Sequence, residues 1–305
     1  MIETTTKPIR IALIGCVASS GVALRALFSL GENRAQLVGV ITRRSTAFNS
    51  DFVDIAKIAR ERDVPVLYAE DATTDLEQAA WLREIKPDLV FTIGWSRLLR
   101  EDVLRVPPRG VIGFHPAALP ANRGRHPLVW ALVLGLPETA SSFFLMGAGA
   151  DDGPIVSQHT VFIAPTDTAQ TLYEKILALI PMQITEIVDG FVSGTLLSRP
   201  QDERLANYWR KRGEDDGRID WRMSAPSIYN LVRALSKPYP GAHFVMNDQA
   251  FKVWHCVVKP DAPINIEPGK VLQVEGREVV VKAGSHAVRL VEHDLTILPS
   301  VGDYL

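Results

Sequence analysis

The sequence is poor in cysteine: two in 305 residues, Cys16 and Cys256, far apart. That excludes a disulfide framework and a cysteine-based metal centre, and the pair reads as two small buried hydrophobes in a reducing compartment. A charge bias is also lacking, since 33 Lys and Arg face 35 Asp and Glu for a formal net charge of -2. A strongly basic nucleic-acid clamp is therefore not expected, and nucleic acid is not an expected partner. No run reaches the ~18 apolar residues of a bilayer span. The start, MIETTTKPIRIALIG, shows no basic segment followed by a long apolar one. The expectation is a cytoplasmic protein with no membrane partner. No metal-ligand spacing appears, so no metal is expected. Internal repeats and low-complexity tracts are not evident either.

What is present is alternation. IRIALIG, QLVGVITR, VPVLYA, DLVFTIGW and VIGFH read as short strands, and helix-like segments such as GVALRALFSLG, FVDIAKIARERD and DLEQAAWLREIK lie between them. PLVWALVLGL follows as a helix whose Trp130 falls on the apolar face and is expected in the core. TASSFFLM and IVSQHTVFI read as further strands, and TAQTLYEKILALIPMQITEIVDGFVSG as a long helix. This pattern predicts an α/β fold: a Rossmann-like, mostly parallel sheet with helices on both faces. Beyond it, SRPQDERLANYWRKRGEDDGRIDW is polar and charged. AFKVWHCVV, GKVLQVEG, REVVVKAG and HAVRLVEHDL then predict a small all-β, OB-like, barrel-forming unit. The expected organisation is a catalytic domain over 1–198, a linker with substrate contacts over 199–224, and a small β domain over 225–305.

GCVASSG after the first strand lacks the G-x-G-x-x-G spacing. The second strand ends in ITRR rather than an acidic residue, so a dinucleotide site is not predicted. The stretch FHPAALPANRGRHP, Phe114–Pro127, is different. It places two histidines, three prolines, two arginines and an asparagine directly after a buried strand. Such a rigid loop lies where an open α/β sheet binds ligands, beyond the carboxyl ends of its strands.

This loop carries a resemblance. His115, Leu119-Pro120, Arg123-Gly124, Trp130, Gly135, Thr139 and the Asp151-x-Gly153 close match the core pattern of the folate-dependent formyltransferases, and GWSRLL resembles that family's folate-lining segment. YWRKRGEDDGRIDW and IYNLVRALSKPYPGA are similar to the second domain of the sugar-nucleotide N-formyltransferase branch, in particular the formyltransferase half of the bifunctional polymyxin-resistance enzyme. The resemblance implies 10-formyltetrahydrofolate as co-substrate and an amino sugar, nucleotide-linked, as the small-molecule acceptor. It implies formylated sugars destined for surface polysaccharides, and a dimer through the C-terminal module is expected.

An amine attacking a formyl carbon generates an oxyanion and an ammonium, so the site needs an oxyanion donor and a proton acceptor. His115 and Asp151 are the catalytic candidates. The family places an asparagine amide two residues before the histidine, and here that position is Gly113. Losing one oxyanion donor costs on the order of a hundredfold in rate. Three accounts are open: His126 or Asn122 substitutes; water or backbone N–H fills the room glycine leaves; or the protein binds without turnover. For the folate, the resemblance implies Trp95, Arg97, Leu98, Gly147, Ala148, Ala150 and Asp151. For the acceptor, the candidates are Pro116, Asn122, Arg123, Gly124, Arg125, Tyr208, Lys211 and Arg212, the guanidinium forks being suited to phosphate. Competing readings are a methionyl-tRNA formyltransferase, another amine formyltransferase, and a non-catalytic folate or sugar-nucleotide binder.

Overall fold

The computed structural model describes residues 7–45, 51–70 and 73–305. Within the start MIETTTKPIRIALIG, residues 1–6 lie outside this range. In chain order the elements are β1 (Ile9–Ile14), α1 (Ala18–Ser29), β2 (Ala35–Thr42), α2 (Ile55–Arg60), β3 (Val66–Tyr68), α3 (Asp75–Ile85), β4 (Leu89–Thr92), α4 (Glu101–Leu104) and β5 (Val111–His115). They continue with β6 (Arg123–Gly124), α5 (Pro127–Val133), β7 (Glu138–Leu145), β8 (Ile155–Phe162), α6 (Ala169–Ser193), β9 (Tyr208–Trp209) and α7 (Ala225–Ala234). β10 (Ala242–Met246), β11 (Gln249–Lys259), β12 (Val271–Glu275), β13 (Glu278–Lys282) and β14 (Ala287–His293) close the chain.

The seven-stranded sheet has the order β3-β2-β1-β4-β5-β7-β8. β3 through β5 pair in parallel, whereas β7 pairs antiparallel to β5, with His115 opposite Ser142 and Gly113 opposite Phe144. Alternate residues of β1 serve opposite faces. Ile11 and Leu13 pack with α1, α2 and the buried stripe Ile180, Ile184, Ile187 and Val188 of α6. Ala12 and Ile14 pack with Ala79 and Leu82 of α3 and Val103 of α4. This two-residue period is why a strand such as IRIALI, apolar at every position but Arg10, needs helices on both sides.

The small β unit is an antiparallel sheet of five strands, β10-β11-β14-β13-β12, with β10 and β12 at its two ends. β10, AHFVM, is a strand the sequence does not mark, because its five residues follow PYPG with no glycine break of the kind that marks the others.

The chain forms two compact units that interleave in sequence. One comprises 1–124, 140–161 and 175–208; the other comprises 125–139, 162–174 and 209–305. Three consecutive segments were expected. Instead, α5 belongs with the C-terminal unit, where it packs on α7, and residues 199–208 belong with the large sheet.

α6 is long and apolar enough, by length and composition alone, to cross a membrane. Charged residues interrupt the run, so no unbroken apolar stretch marks it in the sequence. In the first unit it buries one stripe against the sheet, and Gln183 within that stripe donates to Ser141 O at 3.0 Å. A buried stripe predicts a position-dependent response. Ile184→Ala, at a fully buried position, is expected to cost about 2–5 kcal/mol in denaturant unfolding. Met182→Ala, on the exposed side, is expected to cost less than about 1 kcal/mol.

Candidate active site

β4 and β5 are parallel neighbours with Thr92 beside Gly113. The loop Gly94-Trp95-Ser96-Arg97 and the loop Pro116–Asn122 therefore leave the sheet side by side. His115 ends β5 and is buried. Its Nε2 lies 2.9 Å from Asn122 O. A carbonyl only accepts, so the Nε2 proton is donated there, and in the neutral ring Nδ1 carries the lone pair. Nδ1 stands 3.6 Å from Asp151 Oδ2. The loop itself is pinned: Ser142 Oγ donates to Ala117 O at 2.6 Å, and Gln158 Nε2 donates to Leu119 O at 2.9 Å.

Because β7 runs antiparallel to β5, Asp151 comes from a loop after an antiparallel strand. That loop is closed by Leu145 N–H donating to Pro154 O at 2.9 Å. Asp151 has φ 56°, a left-handed conformation uncommon outside glycine. Its Oδ2 accepts the Gly124 N–H at 2.9 Å. At Gly153 a Cβ would lie 1.7 Å from Leu145 O, so only glycine fits. The Asp152 carboxylate folds over Gly149, where a Cβ would come within 1.9 Å of its Oδ2. Gly147, Ala148 and Ala150 line the same loop, with Ala148 exposed.

The expected substrate role of Arg123 needs correcting. Its side chain is fully buried, and all five N–H donors are used. Nε and Nη2 donate to Gln201 Oε1, both Nη atoms donate to the Glu203 carboxylate, and Nη1 donates to Tyr208 Oη. No donor remains for a phosphate. The hydrogen bond to Glu203 holds the guanidinium pKa above its ordinary value and pulls that of the Glu203 carboxyl below the usual range. Tyr208 is exposed, but its hydroxyl serves Arg123. Asn122 gives its carbonyl to His115 and its N–H to Asn207 Oδ1 at 2.7 Å, and Gly124 gives its N–H to Asp151. Pro116 opens the loop beside His115.

At Gly113 a Cβ would meet Phe144 Cζ at 2.8 Å, Met146 Cγ at 2.9 Å and Phe144 Cε1 at 3.1 Å. The room expected there for water or a close backbone approach is taken by side chains. The GWSR loop supplies a contrasting feature. Trp95 Nε1, Arg97 Nη1 and Thr92 Oγ1 are buried without a hydrogen-bond partner among the described residues. Buried donors are normally paired, so a polar ligand entering beside β4 fits them. Leu98, next in line, is exposed.

The second unit holds an aromatic and basic cluster. The Trp130 ring carries the Arg212 guanidinium at 4.5 Å and that of Arg210 at 5.3 Å, while Trp130 Nε1 donates to Arg210 O at 3.0 Å. Trp130 is thus a cation platform rather than the core residue its helical position suggested. Arg212 is buried and donates to Asp216 O, so its role is partly structural. Arg210 pairs with the Asp216 carboxylate and holds it well below the usual carboxylate range.

His126 caps α5 with φ 56°. Burial, reinforced by Arg125, Arg212 and Lys211, pushes its pKa below the ordinary value of 6.5. The unfolded chain then binds the extra proton first, so this contribution to stability is present above pH ~6.5 and is lost as pH falls below it. His126→Asn, which tolerates the same backbone, is expected to flatten the fall in unfolding free energy between pH 7 and 5.

A model of the formyl transferase family matches residues 8–187, and one of the formyl transferase C-terminal domain matches residues 212–296. Among solved structures, an N-formyltransferase from Helicobacter canadensis in complex with folinic acid and dTDP-3-aminofucose is 15% identical, with TM-score 0.71 over 94% of this chain and 100% of that one. HypX from Aquifex aeolicus in complex with tetrahydrofolic acid is 18% identical, with TM-score 0.64 over 93% of this chain, which spans only 44% of that protein's length. Glycinamide ribonucleotide transformylase 1 from Symbiobacterium toebii is 27% identical, with TM-score 0.55 over 64% of this chain and 95% of that one. The fold is shared with all three, and with both family models matched in order along the sequence the chain belongs to the formyl transferase family of formyl-transferring enzymes.

Proposed function

We propose that this protein moves a formyl group from 10-formyltetrahydrofolate to the amine of a nucleotide-linked amino sugar, in the cytoplasm. The observation that carries the chemistry is the His115 ring, pinned through Nε2 with Nδ1 turned to Asp151. The amine nitrogen attacks the formyl carbon, forming a C–N bond as the carbonyl electron pair moves to oxygen. His115 Nδ1 takes the ammonium proton, and the resulting imidazolium presents Nδ1–H to the Asp151 carboxylate. Collapse re-forms the carbonyl and breaks the bond from carbon to the folate nitrogen, which receives the proton. Trp95 Nε1, Arg97 Nη1 and Thr92 Oγ1 are the donors offered to the folate.

The amino-sugar acceptor rests on two supports. The Helicobacter canadensis relative is described with dTDP-3-aminofucose bound. In the second unit, burial and the charges of Arg125, Arg212 and Lys211 lower the His126 pKa, and cations such as Arg125 and Lys211 suit a diphosphate. A second reading has its own observation. With Phe144 and Met146 over Gly113, the amide donor of the family is replaced by apolar surface, which favours a folate binder without turnover.

Release of tetrahydrofolate from 10-formyltetrahydrofolate, measured against dTDP-3-aminofucose, other amino-sugar nucleotides and methionyl-tRNA, separates the readings. Release dependent on a sugar-nucleotide amine is expected, with His115→Ala and Asp151→Asn each lowering it about 10²- to 10⁴-fold. Folate binding with no amine-dependent release would establish the binder. Gly113→Asn is expected to cost about 1–3 kcal/mol in stability through overpacking against Phe144 and Met146, and to lower turnover. A gain in rate would mean that the amide donor is the missing part.

A further inference from the structure

We infer that Gln201, clamped by Arg123, is a positioning residue that fixes where the Asp151 carboxylate stands opposite His115. This rests on the His115–Asp151 reading above. Gln201 is in the segment that the sequence presents as a polar linker, and nothing in its composition marks it.

The amide of Gln201 has two N–H donors and two acceptor sites on its oxygen, and all are engaged. Nε2 donates to Asp151 O at 2.8 Å and to Gly153 O at 2.7 Å. Oε1 accepts from Arg123 Nε at 3.1 Å and Nη2 at 2.9 Å. The amide has one orientation, because carbonyls only accept and a guanidinium only donates. A flipped amide would set oxygen against two oxygens and N–H against two N–H groups.

The clamp acts where the backbone needs it. Asp151 is a non-glycine residue at φ 56°, a conformation that persists only where surrounding structure enforces it. Gln201 bonds the Asp151 carbonyl directly and, two residues on, that of Gly153, the residue packed against Leu145 O. The carboxylate is held from the other side by the N–H of Gly124, the residue following Arg123. One buried guanidinium thus steers both ends of Asp151, through Gln201 to its backbone and through the adjoining peptide to its side chain. The same strap reaches the histidine. Asn207 O accepts the Arg123 N–H at 3.0 Å, and Asn207 Oδ1 accepts the N–H of Asn122, whose carbonyl holds His115 Nε2. Residues 201–208 therefore set the base and the acid against one frame.

The test uses the full chain labelled with ¹⁵N-histidine. The ring ¹⁵N shifts of His115 are recorded at one fixed pH in the parent, Asp151→Asn and Gln201→Leu, with thermal melting as the check on folding. No amine acceptor is involved, so a failure of the formyl-transfer reading in the release assay leaves this measurement interpretable. The expected result is that Gln201→Leu moves the His115 Nδ1 resonance in the same direction as Asp151→Asn, by at least half as much. Gln201→Glu, which turns a carboxylate oxygen toward two carbonyls, is expected to move it too. If Gln201→Leu does not fold, Arg123→Lys keeps the charge but loses the fork, and is expected to give the same displacement. A folded Gln201 or Arg123 variant with the parent's His115 spectrum, alongside a shifted Asp151→Asn spectrum, overturns the proposal. So does an Asp151→Asn spectrum that matches the parent.

Discussion

A guanidinium that is fully buried must have every donor met, and the region around His115 follows from how Arg123 meets this demand. Its five N–H groups reach Gln201, Glu203 and Tyr208, all in a stretch about 80 residues later in the chain. Leaving any of them unpaired in the interior would cost about 1–3 kcal/mol or more for a charged group. That penalty ties residues 201–208 to the histidine loop and gives a short polar strap a fixed course over the sheet's first unit. Charge burial, ordinarily a weak source of stability, here supplies geometry.

The strap and the loops divide the work between rigidity and chemistry. The loop after β5 is anchored by Ser142 and Gln158 from the neighbouring strands, and the Asp151 loop is closed on itself through Leu145 and Pro154. Against this fixed background, three polar atoms beside β4 remain without partners among the described residues. Most buried polar atoms are paired, so these three stand apart from the anchored scaffold, as do Thr42 Oγ1, Gln78 Oε1 and Arg289 Nε away from these loops.

Much of the architecture was legible in the sequence. Alternating apolar runs and amphipathic segments specify a two-faced sheet, and Ile11 and Leu13 against Ala12 and Ile14 show the period at work. The antiparallel course of β7 was not legible, because TASSFFLM reads the same in either direction. The division into interleaved units was hidden for a similar reason: the apolar face of α5 does not state which neighbour it covers. Trp130 shows the limit most directly. Its place on the helix suggested the core, yet Arg210 and Arg212, some 80 residues distant in sequence, stack on it.

The sequence by itself determined the layered α/β class and the small β unit, because hydrophobic periodicity is a local property of the chain. It also determined the chemistry available, through His115, Asp151 and the glycine at 113. Only the tertiary structure decided that Arg123 is a strut rather than a phosphate ligand, that Gln201 matters, and that Phe144 and Met146 cover Gly113. Those outcomes depend on which donors and acceptors meet across many tens of residues, and hydrogen-bond satisfaction between distant segments leaves no periodic trace in the sequence.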